Sequence, residues 1–323
     1  MRTTNISDSD LQQFLGVFLK APMHVMFNTT YYCDNMCPHC HYSCSPQHDL
    51  KKFMPEQDIF AILARLADVK FKVDGVNFSG GEVTAVESIN PGYIKRIAST
   101  SIGYGFSTKI MTNGSFINKP YADRVLNDIA DLYTGTWDSF SVQMSFDRYH
   151  KDCITNAHKF IDALDIKLNR PNIWVGGQHV SYPFALFGFY HDPDFRNNLN
   201  VHPRNIDVCN ELNWDLNPVG RAKENNLPNC RDTKTEFEKL CGDDKLKKLI
   251  FTPLYPSENG RVWKILITFD CNGNAHLADA HNQDNWWTFV TKYKKTNGEY
   301  KTMPEIQAEL GTKLIEHVYG KTK

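Results

Sequence analysis

The chain has 323 residues and is 41% hydrophobic, enough for one large domain or a domain with an appendage. Lys and Arg total 36 against 37 Asp and Glu, a net charge of −1, which gives no electrostatic reason to expect nucleic acid or an anionic membrane as the main partner. No run approaches the ~18–20 apolar residues of a membrane-spanning helix. Met1–Asp10 is polar and lacks the apolar stretch of a secretory signal, so a cytoplasmic location is expected. Nine cysteines, an odd count in so long a chain, point to metal or chemistry rather than to a disulfide framework. Lys245, Lys247 and Lys248, like Lys292, Lys294 and Lys295, read as solvated faces.

In chain order, Leu11, Phe14, Leu15 and Phe18 recur at helical spacing and predict a short helix within residues 1–20. Met23–Thr30 reads as a strand with Val25 and Phe27 on one face, followed by a cysteine-rich loop to Pro46. Pro55 suits a helix start, and Ile59, Ile62, Leu63 and Leu66 keep the helical period. The pattern then alternates. Strands are expected at Asp74–Phe78, Gly105–Met111, Phe140–Phe146 and Asn172–Val180; helices are expected at Glu87–Ser99, Lys119–Leu132 and Ile154–Leu168. This rhythm implies parallel β/α units, an α/β fold of the incomplete (β/α)6 barrel type.

Past Asn217 the rhythm changes, with Pro218, Gly220 and a polar stretch from Lys223 to Asp232. We therefore expect an N-terminal extension at 1–20, a β/α barrel at 21–222 and a C-terminal extension at 223–323. In that extension Val262–Phe269, Asn272-Gly273 and Asn274–Leu277 predict a hairpin, and Ile306–Val318 a terminal helix. Trp286, Trp287, Phe289 and Tyr293 read as core.

The chemistry sits in Cys33-Asp34-Asn35-Met36-Cys37-Pro38-His39-Cys40. Three thiolates on one loop after a strand can bind three irons of a cubane cluster and leave the fourth iron open to an outside ligand. The rival is a structural zinc site with His41, Cys44 or His48 as fourth ligand, although zinc sites usually take two separated ligand pairs. Ser79-Gly80-Gly81-Glu82 follows the second strand, where glycines allow close backbone approach and a carboxylate can hold an ammonium group.

Together these residues resemble the radical S-adenosylmethionine (SAM) superfamily, whose hallmark is C-x3-C-x2-C. The resemblance spans roughly residues 23 to 222. It implies a [4Fe–4S] cluster on Cys33, Cys37 and Cys40, with SAM on the open iron. In such enzymes an electron from the cluster cleaves SAM, and the 5′-deoxyadenosyl radical released abstracts hydrogen from a substrate. It further implies His39 near the adenine and Gly80, Gly81 and Glu82 near the SAM amino group. Weaker matches are Thr112 and Asn113 after the third strand and Ser145 and Asp147 after the fourth. Gln178 on the expected fifth strand and Arg221 in Gly220-Arg221-Ala222 complete the expected SAM contacts.

Peptide-modifying members of the superfamily often add a cysteine-rich C-terminal domain. Here one auxiliary cluster on Cys209, Cys230, Cys241 and Cys271 is allowed by count; buried thiols are the rival reading. Cys44-Ser45-Pro46, Gly-Gly-Glu-Val and the Asp147-Arg148-Tyr149-His150 run loosely resemble radical SAM peptide epimerases, in which a cysteine returns a hydrogen atom to the substrate. By that analogy Cys241 is the candidate donor.

The expected function is thus a radical SAM enzyme acting on a peptide, with a flavodoxin- or ferredoxin-type reductant. The same machinery acting on a sugar, nucleotide or cofactor precursor is the alternative. An iron–sulfur carrier or zinc-binding module is the non-enzymatic one, and it has no need of Gly80-Gly81-Glu82. No leader-binding domain is recognisable before the triplet, which weighs against a peptide.

Overall fold

A computed structural model describes residues 6–38, 40, 42–133, 139–145, 152–168, 174–175, 178–179, 184–189, 213–214, 238–256, 263–278 and 288–320. The first helix, α1 (Asp8–Phe18), is capped by Ser7, whose hydroxyl accepts the Asp10 N–H at 3.1 Å. Phe14 and Phe18, one turn apart, stack at 5.1 Å and are buried. The expected alternation follows as β1 (Met23–Asn28), α2 (Glu56–Ala67), β2 (Val73–Ser79), α3 (Tyr93–Gly103), β3 (Thr108–Thr112), α4 (Ala122–Leu132), β4 (Phe140–Ser145) and α5 (Cys153–Lys167). These four strands pair in parallel in that order, each joined to the next through a helix.

Two expected elements need correction. The segment 172–180 is not the fifth strand of the main sheet. Its short strands β5 (Trp174–Val175) and β6 (Gln178–His179) pair antiparallel with each other. The residues between them in the sequence are Gly176-Gly177. The strand that extends the sheet beyond β4 is β7 (Phe184–Phe189), and β8 (Asn213–Trp214) lies beyond it. The second helix of the alternation also starts later than its expected residue Glu87. Val83–Ser88 is a 3-10 turn, and Pro91 and Gly92 (φ 79°) delay α3 until Tyr93. The buried Glu87 carboxylate accepts the N–H groups of Gly92 and Ile94 at 2.7 and 2.8 Å, capping that helix.

The C-terminal part supplies α6 (Lys245–Phe251), β9 (Leu254–Pro256), β10 (Trp263–Asp270), β11 (Asn274–Leu277), β12 (Phe289–Lys292) and α7 (Met303–Tyr319). The expected hairpin and terminal helix are present; α7 begins with a capping box between Thr302 and Glu305. Strand β10 lies parallel to β1, with Met23 opposite Ile265 and Asn28 opposite Asp270. The sheet order is β12-β11-β10-β1-β2-β3-β4-β7-β8, with β9 on β10. Its two outer strands do not pair, so the fold is a mixed α/β, incomplete barrel. The expected boundary near residue 222 lies outside the described residues, and β10–β12 join the same sheet as β1.

The two faces of this sheet differ in chemistry. On β1 the residues facing the helices are Met23, Val25 and Phe27, all 0% exposed, and Phe27 stacks between Phe78 and Phe269 at 5.1 and 5.6 Å. Phe289 and Tyr293 are buried in this core as expected, while Trp286 and Trp287 lie outside the described residues. The opposite, inner face carries His24, Met26 and Asn28 on β1, Asn77 and Ser79 on β2, and Ser141, Gln143 and Ser145 on β4. A buried parallel sheet is ordinarily apolar on both faces, so this polarity marks the inner face as the one that meets ligands.

The phenylalanine row gives a stability prediction. Phe27→Ala should cost roughly 3–5 kcal/mol, read as a lower urea midpoint with an unchanged slope.

Candidate active site

The site forms where the C-terminal ends of β1, β2 and β3 meet. The β1/β2 ladder continues past the strands: Thr29 N–H donates to Ser79 O at 2.9 Å, Gly81 N–H to Thr30 O at 2.6 Å and Glu82 N–H to Tyr32 O at 2.8 Å. The glycines are what permit this. A Cβ on Gly81 would lie 1.9 Å from Tyr32 O, and one on Gly80 (φ 128°) 2.5 Å from both Thr30 O and the Asn28 side chain. Gly80 and Gly81 thus serve first to let the cysteine loop lie directly on the end of β2.

Glu82 then binds the next strand. Its carboxylate is 0% exposed and accepts from Thr84 N–H (3.1 Å), Thr84 Oγ1 (2.5 Å), Thr112 Oγ1 (2.6 Å) and Asn113 N–H (2.7 Å). Burial, with Asp34 nearby, pushes its pKa above the ordinary glutamate range despite these donors. The Asn113 side chain turns to the cysteine loop, its Nδ2 lying 3.5 Å from Cys33 Sγ and 3.3 Å from Asp34 Oδ1. Asp34 is held further by Ser115 Oγ at 2.9 Å and Lys119 Nζ at 3.1 Å.

Cys33 and Cys37 are buried, Cys40 is half-buried, and none of them is in a disulfide. Burial and the Glu82 charge push the Cys33 thiol well above its ordinary pKa. Main-chain N–H groups point at the sulfurs: Asn35 N at 3.4 Å from Cys33 Sγ and Cys44 N at 3.3 Å from Cys40 Sγ. Three thiols on one loop, two of them facing N–H donors, are the kind of donor set an iron–sulfur cluster takes, and such hydrogen bonds tune its potential. Among the described residues no trio of His, Cys, Asp and Glu converges on one point. The three thiols fit the cluster in kind and in lying on one loop.

The remaining expected residues divide. Ser145 ends β4 on the inner face, half-buried. His39, Asp147 and Arg221 lie outside the described residues. The backbone of Gln178 lies in β6, off the main sheet. Cys241 does not reach this end. Asp244 N–H donates to Cys241 O, and the neighbouring Lys245 lies over the ring of Tyr319, at the C-terminal end of α7. The other end of α7 is tied through Tyr300 to Asp58 at the start of α2. A helix of 17 residues is about 25 Å long. That separation also parts Cys241 from Cys271, which follows β10 beside the cysteine loop, its N–H donating to Asn28 O at 3.1 Å. One auxiliary cluster cannot take both. Cys209 and Cys230 lie outside the described residues.

The motifs do not single out Asp34, Ser115, Lys119 or Tyr31. Asp34 has the one local signal, a carboxylate next to the first cysteine; the others come together only through the fold.

Replacing the buried carboxylate gives a prediction with a sign. In Glu82→Gln the amide must set an N–H against a protein donor, so stability at pH 7 should fall by roughly 1–3 kcal/mol. Because the folded state raises the Glu82 pKa, it binds protons that the unfolded chain has released, and wild-type stability falls as pH rises from the ordinary glutamate value to the raised one. Urea titrations across that range should show a flatter pH dependence for the variant.

The radical SAM superfamily model matches residues 27–171. No curated protein matches the chain. Solved structures with a similar fold include Streptococcus suis SuiB bound to its precursor peptide SuiA, at 15% identity and TM-score 0.42, covering 83% of this chain and 62% of that one. Another is anSMEcpe with bound AdoMet and Kp18Cys peptide, at 13% identity and TM-score 0.47, covering 93% and 84%. A third is coproporphyrinogen III oxidase (HemN) from Escherichia coli, a radical SAM enzyme, at 10% identity and TM-score 0.39, covering 86% and 71%. The chain spans 62% of the length of the SuiB chain. Residues 27–171, which hold the cysteine triplet and the Gly-Gly-Glu turn, match the radical SAM superfamily, whose enzymes work with a [4Fe–4S] cluster and SAM.

Proposed function

We propose that the enzyme abstracts hydrogen from a peptide or peptide-like substrate, with Cys33, Cys37 and Cys40 as the cluster ligands. The observation that carries this reading is the junction of three motifs far apart in sequence: the cysteine loop rests on Gly81 and Glu82, and Glu82 and Asn113 tie both to the end of β3. When bound, the cluster and SAM supply 5′-deoxyadenosyl radical chemistry.

The chain's own residues hold and orient. Asn35, Cys44 and Asn113 direct N–H donors at the sulfurs, and Lys119 with Ser115 fixes Asp34 and so the course of the loop. Glu82 Oε2 accepts one hydrogen bond among the described residues and keeps acceptor capacity for the SAM ammonium. Ser145, with His39, Asp147 and Arg221, completes the SAM contacts by its place in the motif order. Gln178 is not retained, because β6 leaves the main sheet. The peptide reading is supported by the Cys44-Ser45-Pro46 and Gly-Gly-Glu-Val runs.

Met36, between the first two cysteines, is 58% exposed, so the loop's outer edge lies at the surface, where a flavodoxin- or ferredoxin-type donor can approach. Among the described residues no helix is long and apolar enough to cross a membrane. A reducing cytoplasm suits thiols that must stay available for iron.

Anaerobic reconstitution followed by iron counting tests the assignment. About four irons per chain, and dithionite-dependent 5′-deoxyadenosine from SAM, are expected from the wild type and should be lost in the Cys33/Cys37/Cys40→Ala triple variant. Tightly bound zinc with no nucleoside product overturns it.

A further inference from the structure

The polar inner face holds two amides left unsatisfied among the described residues. Asn28 is 0% exposed, and neither its Nδ2 nor its Oδ1 has a hydrogen-bond partner among them; Gln143 is 2% exposed, and its Nε2 has none there. Buried amides are ordinarily paired, because an unpaired one loses its hydration with no return. The two residues also share a level. The registers set Asp270, Asn28 and Ser79 side by side on β10, β1 and β2. Met111 and Gln143 sit side by side on β3 and β4, one step above the Asn77–Lys109 pair. Together they make a row across the sheet, just below the cysteine loop and the Gly-Gly-Glu turn.

The row's chemistry selects its occupant. Its one charge, Asp270, is taken up by His276 at 2.8 Å and Asn274 Nδ2 at 3.0 Å, and Lys109 just beneath is itself engaged. What the row offers is amide hydrogen bonding without a spare charge. A phosphate or carboxylate gains nothing there, whereas a backbone amide presents the matching donor and acceptor. The flanking Ser141 and Ser145 on β4 are half-buried. Three strand spacings separate β1 from β4, ~14 Å along the sheet, the reach of about four residues of extended chain.

We propose that Asn28 and Gln143 form a substrate site that takes the backbone amides of an extended, uncharged peptide segment lying across the inner face. This rests on the peptide reading above and deepens it.

Two measurements test it. In Gln143→Met the unpaired amide is replaced by an apolar chain of similar size, so the ligand-free protein should melt higher, by about 2 °C; a lower melting temperature would mean the amide is satisfied within the chain and overturns the proposal. Second, the reconstituted enzyme is given SAM, dithionite as electron source and a fully deuterated peptide digest. Abstraction breaks a C–D bond and leaves deuterium in the methyl group of 5′-deoxyadenosine. The deuterated fraction of that product should fall tenfold or more in Gln143→Met and in Gln143→Glu relative to wild type. An unchanged fraction in both variants, or label arriving from a deuterated saccharide digest and not from peptides, overturns the site. Wild type that makes no 5′-deoxyadenosine at all overturns the cluster assignment and the site with it; wild type that makes it unlabelled overturns the peptide site alone.

Discussion

The constraint on which this end of the molecule depends is the close approach of two backbone segments, Thr30–Tyr32 and Gly80–Glu82. A parallel pair of strands normally parts where the strands end, because each chain turns towards its own crossover. Here the ladder runs on for three more hydrogen bonds, and it can do so because residue 81 has no Cβ to fill the space that Tyr32 O occupies. The cysteine loop is therefore not a free excursion from the top of β1. Its first turn is fixed at the level of β2, and Cys33 follows at once. A glycine expected to admit a ligand acts first on the chain itself, by admitting the cysteine loop.

Electrostatics at the junction then balances. Asp34 and Glu82 put two carboxylates near Cys33, which alone would resist formation of the thiolate that iron needs. Three features work the other way. Burial and Asp34 push the Glu82 pKa upward, which favours its neutral form. Lys119 pairs with Asp34 at 3.1 Å. The N–H groups of Asn35, Asn113 and Cys44 face the sulfurs and favour their charged form.

Much of this is legible in the sequence, for identifiable reasons. β1 to β4 and the helices between them follow local periodicity, and the triplet and Gly-Gly-Glu turn are contiguous, so both can be read directly. The fifth strand is misplaced when Trp174-Val175 and Gln178-His179 are taken as one apolar run, although Gly176-Gly177 divides it. Tertiary relations are not legible. Nothing local to Cys241 says that it lies at the far end of α7, and nothing local to Asn28 or Gln143 says that their registers coincide. The role of Glu82 as the tie between β2 and β3 likewise depends on Thr112 and Asn113, 30 residues and more away.

The same dependence explains why the C-terminal residues are no mere appendage to the site. By lying parallel to β1, β10 delivers Asp270 beside Asn28 at the level where the cysteine loop begins. Asp270 accepts from Asn272 N–H, Asn274 N–H, Asn274 Nδ2, His276 and, at 3.2 Å, the hydroxyl of Tyr31 in the loop itself. Burial would push this carboxyl up, yet His276 and Asn274 hold its pKa below the ordinary aspartate value, so it stays an acceptor for all of them. The loop is thus braced on both flanks, by the backbone of β2 on one side and by a charged hairpin turn on the other. A loop held from one side could pivot about its glycine contact; held from both, its backbone keeps one course relative to the inner face below it.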